Sequence, residues 1–420
     1  MRAAAALLLS ASSLFAQSRE DQIAKSVDSL REALVAQRRD FHMHPELSNR
    51  EERTARIIAE KLKALGLEEI RTGVSNHGVI AMLKGAKPGP VVAIRADMDG
   101  LPIEETLDVP YKSQNQGVKH ACGHDIHMTV ALGTAEVLSR MRVQIAGSVK
   151  FIFQPAEEGA PEGEDSGAAR MVREGALANP KPQVIFALHD TPALQTGQLG
   201  YATGALLASG DSFTIRIKGK RVHAAWPHQG IDPIVISAEV ISALQTIRSR
   251  RIDPLESMVL TIGSIHGGNR SNIIPDEVVM QGTVRTHSEQ VRERVRSLMR
   301  ELLTGVATSN GASAELTWGS VSYPPTMNNA AEVEAALPAL RKAVGAANVI
   351  VTPPVMGSED YSQFLREVPG FMFWLGVGNT SKGMTAMLHT ADFDADEAAI
   401  PVGVKAMTNL VLDYLDRHAK

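Results

Sequence analysis

The chain has 420 residues, a net charge of -4 and 44% hydrophobic residues, with 43 Lys and Arg set against 47 Asp and Glu. That composition builds large buried cores, and its slightly acidic balance excludes nucleic acid as an expected partner. The single cysteine, Cys122, excludes an intrachain disulfide and a thiol-redox pair, which leaves its thiolate free for other chemistry.

Met1 and Arg2 precede an apolar run from Ala3 to Leu9 and small residues up to Ala16. This is the pattern of an export leader, so residues 1–16 are expected to be a signal peptide and the protein periplasmic or secreted. The run is too short to cross a bilayer, which takes ~20 apolar residues, and no membrane span is expected in the mature chain.

Ile23, Val27, Leu30 and Leu34 have helical spacing, and a second helix is expected from Asn49 to Leu65, ended by Gly66. Between them, Phe41-His42-Met43-His44-Pro45-Glu46 carries two histidines at the spacing of some hydrolase sites, although Pro45 favours a packed, supporting role. Strands are expected at 78–83 and 91–95, the second running into Asp97-Met98-Asp99-Gly100. Those carboxylates read either as a turn cap or as the site edge of an open α/β sheet.

His120-Ala121-Cys122-Gly123-His124-Asp125-Ile126-His127 follows, a thiol, three imidazoles and a carboxylate within eight residues. Cys122 and His124 can reach one borderline-soft divalent cation, with Gly123 letting the backbone turn around it. A helix from Thr129 to Leu138 leads to the apolar strand 150–153, which ends in Gln154-Pro155-Ala156-Glu157-Glu158. Adjacent carboxylates at the end of a buried strand repel and need a cation, so one can bind metal while its neighbour moves a proton. A further apolar strand, 184–188, delivers His189 and Asp190 at its own end.

From Asp211 the pattern becomes strand (211–218), helix (233–248), strand (258–265), strand (277–285), helix (288–303), strand (314–317). This order fits a small antiparallel sheet with two helices, inserted as a second domain over 208–319. The first domain then comprises 17–207 and 320–420, with strands expected at 350–355 and 370–375, His389 after a glycine-containing loop, and a helix from Asp396 to Leu415.

Cys122-Gly123-His124-Asp125, Glu157-Glu158, His189 and a late His389, in that order around a ferredoxin-like insert, resemble the dinuclear metallopeptidase and aminoacylase family. The resemblance is to its branch of hippurate hydrolases, N-acyl-amino-acid amidohydrolases and plant indole-acetyl-amino-acid hydrolases. It extends to residues 41–47, 95–102, 223–233, Asn272-Ile273-Ile274-Pro275-Asp276 and Gly357-Ser358-Glu359-Asp360. It implies a three-layer α/β/α catalytic domain with an α+β satellite that serves as a lid or dimerisation domain.

The resemblance further implies metal ligands at Cys122, His124, Glu158, His189 and His389, with the thiolate shared between two divalent cations. Glu157 takes the general acid/base place, and His223 resembles an oxyanion stabiliser that can reach a neighbouring subunit in a homodimer. Asn272 resembles a substrate-carboxylate contact, with Asp97 and Asp99 as supports. Softness favours zinc, while the nitrogen and oxygen ligands also accept manganese, cobalt or nickel.

The expected reaction is hydrolysis of N-acyl amino acids, Glu157 taking a proton from water and returning it to the leaving amine while His223 steadies the oxyanion. A dipeptidase or a deacetylase of N-acetylated diamino acids on the same scaffold is the rival reading. An inert metal- or ligand-binding protein is the alternative of another class. Arg221-Val222 before His223, Thr390-Ala391 after His389 and Asp190-Thr191 after His189 depart from the family pattern and bear on substrate preference and loop shape. Neither a Gly-x-Ser-x-Gly elbow nor a His-Glu-x-x-His helix occurs.

Overall fold

Ser18 caps the first helix by accepting from the Asp21 N–H, and the helix runs over Arg19–Met43, longer than its clearest apolar stripe. Ile23, Val27, Leu30, Leu34 and Phe41 form its buried face. The computed structural model describes residues 18–165 and 167–419, so the leader read over 1–16 lies outside the described residues.

The second helix, Glu52–Ala64, starts three residues later than its periodicity predicts. Asn49 adopts a left-handed φ of 60°, and the Glu46 carboxylate accepts from the N–H groups of Arg53 and Thr54, capping the helix from a distance.

An eight-stranded sheet is ordered 68–74, 78–84, 146–154, 87–97, 184–195, 370–378, 199–201, 349–351. Its four middle strands, 146–154, 87–97, 184–195 and 370–378, are mutually parallel, so their C-terminal ends share one edge. Helices Arg19–Met43, Glu52–Ala64, His124–Arg140, Ala330–Val344 and Ala399–Arg417 cover one face with a continuous apolar core. The other face is covered by a second cluster that includes Ala168, Met171, Tyr361 and Phe364. This is the expected α/β/α sandwich.

The insert is an antiparallel sheet ordered 258–267, 277–286, 210–218, 313–323. Helices Pro233–Thr246 and Glu289–Ser309 pack on it, around a core of its own that includes Phe213, Ile215, Val240, Met280 and Leu298. A short sheet of 326–328, 204–208 and 355–358 lies where the chain passes between the two.

Two expectations are corrected here. The strand at 350–355 is two strands, Val349–Val351 and Val355–Ser358, in different sheets, because Pro353 and Pro354 supply no N–H to a ladder. The strand at 314–317 extends over Ser313–Tyr323, and its last residue reaches the first domain. Glu68–Val74 is an edge strand that periodicity missed because almost none of it is buried.

Candidate metal centre

Gly123 is where the site begins. It precedes helix His124–Arg140 with a φ of 75°, and a Cβ there would overlap the Asp190 carboxylate. Only glycine satisfies both demands. The tight turn brings Cys122 and His124 to the edge where the middle strands end.

Among the described residues, the groups whose ligand atoms lie within 4.8 Å of one another include Cys122, His124 and His189; Cys122, Glu158 and His389; His124, Glu157 and Glu158; and, alongside them, groups that bring in His127 with Asp97 or with His189 and Asp190. His389 Nε2 is 3.2 Å from Cys122 Sγ and 3.1 Å from Glu158 Oε1, and His189 Nε2 is 3.6 Å from the same sulfur. His389 carries a left-handed φ of 63°, which aims a side chain from an irregular segment at the sheet edge. The five residues expected as ligands are therefore brought together, from four separate parts of the chain.

Neighbouring groups orient the imidazoles. His124 Nδ1–H donates to the Asp99 carbonyl at 2.8 Å and His189 Nδ1–H to the Asp190 carbonyl at 2.8 Å, so both present Nε2 to the cluster. His124 Nε2 is buried and has no hydrogen-bond partner. An unpartnered imidazole nitrogen beside a thiol, a second imidazole and carboxylates fits the donor set of a transition metal. Burial, then Glu158 and Glu157, pushes the Cys122 thiol well up. Burial, then Glu359 and Glu158, pushes Glu157 up as well, so the cluster's charge calls for a cation.

Asp97 and Asp99 do different work. The Asp99 carboxylate accepts from the N–H groups of Glu157 and Glu158, each at 3.1 Å, and from the Ser48 hydroxyl at 2.7 Å, which fixes the glutamate pair. Asp97 accepts from His127 Nδ1 at 2.6 Å and from Arg95 at 2.6 Å. Burial opposes a charge on His127, yet Asp97 and the bond to Asp190 outweigh it and raise its pKa to about 9. Arg95, wholly buried, also binds Glu359 at 2.8 Å and Asp360 at 3.1 Å behind Glu157.

His223 and Asn272 lie elsewhere. They sit on an exposed ribbon of Val222–His223 paired with Ile273–Ile274, where the Ala224 N–H donates to the Asn272 carbonyl at 3.0 Å. His223 Nδ1 accepts from the Ala225 N–H at 3.1 Å. Neither residue lines the cavity beside the cluster. His42 is buried between Asp125 and Glu105, at 2.7 and 3.2 Å, which is the packed role Pro45 favoured.

That cavity, of about 490 Å³, is lined by Glu157, Glu158, His189 and His389 of the cluster and by Arg285, Tyr323 and Trp374 among others. Sequence reasoning missed those three. Arg285 alternates with buried Val284 and Thr286 near the end of its strand, which places it off the insert's core face. This alternation was the available signal. Tyr323 donates to the Glu157 carbonyl at 3.3 Å, tying the last strand of the insert to the site.

The sequence model of "Peptidase family M20/M25/M40" matches residues 93–413. Thermostable carboxypeptidase 2 of Saccharolobus solfataricus is 36% identical over 398 residues, covering 94% of this chain and 99% of its own. The N-acyl-L-amino acid amidohydrolase of Geobacillus stearothermophilus is 42% identical over 309 residues, 74% of this chain and 81% of that one. The crystal structure of the Bacillus subtilis YXEP protein, described as a dinuclear metal binding peptidase from the M20 family, superposes with a TM-score of 0.79 at 35% identity, covering 93% of this chain and 99% of that one. Together with the converged thiol, imidazoles and carboxylates, these matches make the chain a member of peptidase family M20/M25/M40, a hydrolase of amide or peptide bonds.

Proposed function

We propose that the protein hydrolyses the amide bond of N-acyl amino acids, hippurate-like or N-acetylated, releasing a carboxylic acid and a free amino acid. Cys122, His124, Glu158, His189 and His389 hold two divalent cations, zinc or manganese, with cobalt or nickel also compatible. When bound, such cations lower the pKa of water and polarise a carbonyl.

The observation that carries the reading is Glu157. It is buried in the cavity wall beside Glu158, its Oε2 is 3.9 Å from His124 Nε2, and its carboxyl pKa is raised by burial, by Glu359 and by Glu158. A carboxyl held up in pKa next to the cluster accepts a proton from water and passes it to the leaving amine. Arg285, in the lining of the same cavity, supplies a cation suited to the amino-acid carboxylate. The name of the Geobacillus relative supports this substrate class.

His223 and Asn272 keep their proposed roles, oxyanion stabiliser and carboxylate contact, through a homodimer in which the exposed ribbon of one copy enters the cavity of the other. Export by the leader is proposed on its sequence alone.

Carboxypeptidase activity is the second reading. It is favoured by the Saccharolobus relative's name and by the same arginine, since a peptide C-terminus presents an equivalent carboxylate. Parallel assays on N-benzoylglycine, N-acetyl amino acids and dipeptides decide between them. Turnover confined to the peptides would reject the N-acyl reading. Full activity and no bound metal after exhaustive chelation would reject both.

A further inference from the structure

Lys119 is wholly buried, its side chain shielded from bulk solvent. It donates to the Phe393 carbonyl at 2.6 Å and the Ala391 carbonyl at 2.9 Å, with the Glu105 carboxylate 3.5 Å away. Both carbonyls lie just after His389, in a stretch without helix or strand from 385 to 398. The Lys119 backbone is itself pinned: it exchanges hydrogen bonds with Leu101 at 2.8 and 3.0 Å, three residues before Cys122.

Burying an ammonium is unfavourable unless acceptors surround it, and here two of its acceptors are the backbone of a distant loop. The same loop is held at neighbouring points. The His389 N–H donates to the Ala121 carbonyl at 2.8 Å, the Thr106 N–H to the Ala391 carbonyl at 3.2 Å, and the Tyr111 hydroxyl to Asp394 at 2.8 Å. His389 needs such fixing, because its side chain is 52% exposed and its backbone is left-handed, so little packing of its own holds it beside Cys122 and Glu158.

We propose that Lys119 is a positioning residue that clamps the segment bearing His389 against the segment bearing Cys122, and so sets the affinity of the cation position that His389 completes. It touches neither substrate nor cation. The proposal rests on the reading of His389 as a ligand and not on the identity of the substrate.

The test is calorimetric titration of manganese into chelator-treated protein, for wild type, Lys119→Met, His389→Ala and the double variant. Lys119→Met is expected to weaken one of two cation positions about 10-fold, as outer partners of metal ligands do, and to leave the other unchanged. In the His389→Ala background it is expected to add no further loss. Equal loss in both backgrounds, or two cations bound by Lys119→Met at wild-type affinity, would overturn the proposal. Should Lys119→Met fail to fold, Lys119→Gln, which keeps a polar N–H donor at the same position, is titrated in its place, and the same outcomes decide. Wild type that binds no manganese would instead sink the metal reading itself.

Discussion

Glu157 and Glu51 are buried carboxyls with different consequences. Glu157→Gln keeps the shape and the Asp99 contact to its backbone N–H, so metal content is expected to match wild type while kcat falls about 10²–10⁴-fold. Metal analysis beside steady-state kinetics checks this, and a parallel loss of metal would make Glu157 a ligand. Glu51 accepts from the Ala156 N–H at 2.9 Å, and burial, then Asp99, raises its pKa to about 8. Its folded value lies above its unfolded one, so between about 4.5 and 8 the folded state holds the extra proton and this residue's contribution falls as pH rises. Glu51→Gln, whose amide oxygen still accepts from Ala156, is therefore expected to raise Tm relative to wild type more at pH 8 than at pH 5. Melting curves in chelator at both values measure the difference.

At the scale of elements, the site is made by where strands stop and one helix starts. Four parallel strands end on one edge, and helix His124–Arg140 opens there through a left-handed glycine. Gly123→Ala adds about 1–2 kcal/mol of backbone strain and drives a methyl into the Asp190 carboxylate. That carboxylate binds His127, whose ring packs 4.7 Å from that of His189. The variant is expected to melt lower and to bind less metal, measured by thermal denaturation with and without added manganese. A helix begun by an ordinary capping residue would tolerate the alanine.

Across the whole molecule, the insert contributes to the cavity wall. Arg285 and Tyr323 come from its strands, and Arg285 is bonded to Ser358 of the first domain at 2.5 Å. Arg285→Leu is expected to raise KM for N-acyl amino acids about 10- to 100-fold, the worth of a hydrogen-bonded charge on a carboxylate, with a smaller change in kcat. Initial-rate kinetics on an N-acyl amino acid and on its amide, which lacks the carboxylate, check the assignment. The amide should be indifferent to the substitution.

The sequence by itself determined the chemistry: Cys122, His124, Glu157, Glu158, His189 and His389 are reactive groups at strand ends and turns where no core requires them. It also determined most strands and helices and the order of the insert, because burial on one or both faces imprints a period on each segment, while the three-layer sandwich was expected from the family resemblance. Only the tertiary structure decided which supports surround the site. His127 between two aspartates, Lys119 under the His389 loop and Arg285 in the cavity lining are ordinary polar residues locally. Each acquires its role from a partner distant in the chain, and such pairings leave no periodic mark in a single sequence.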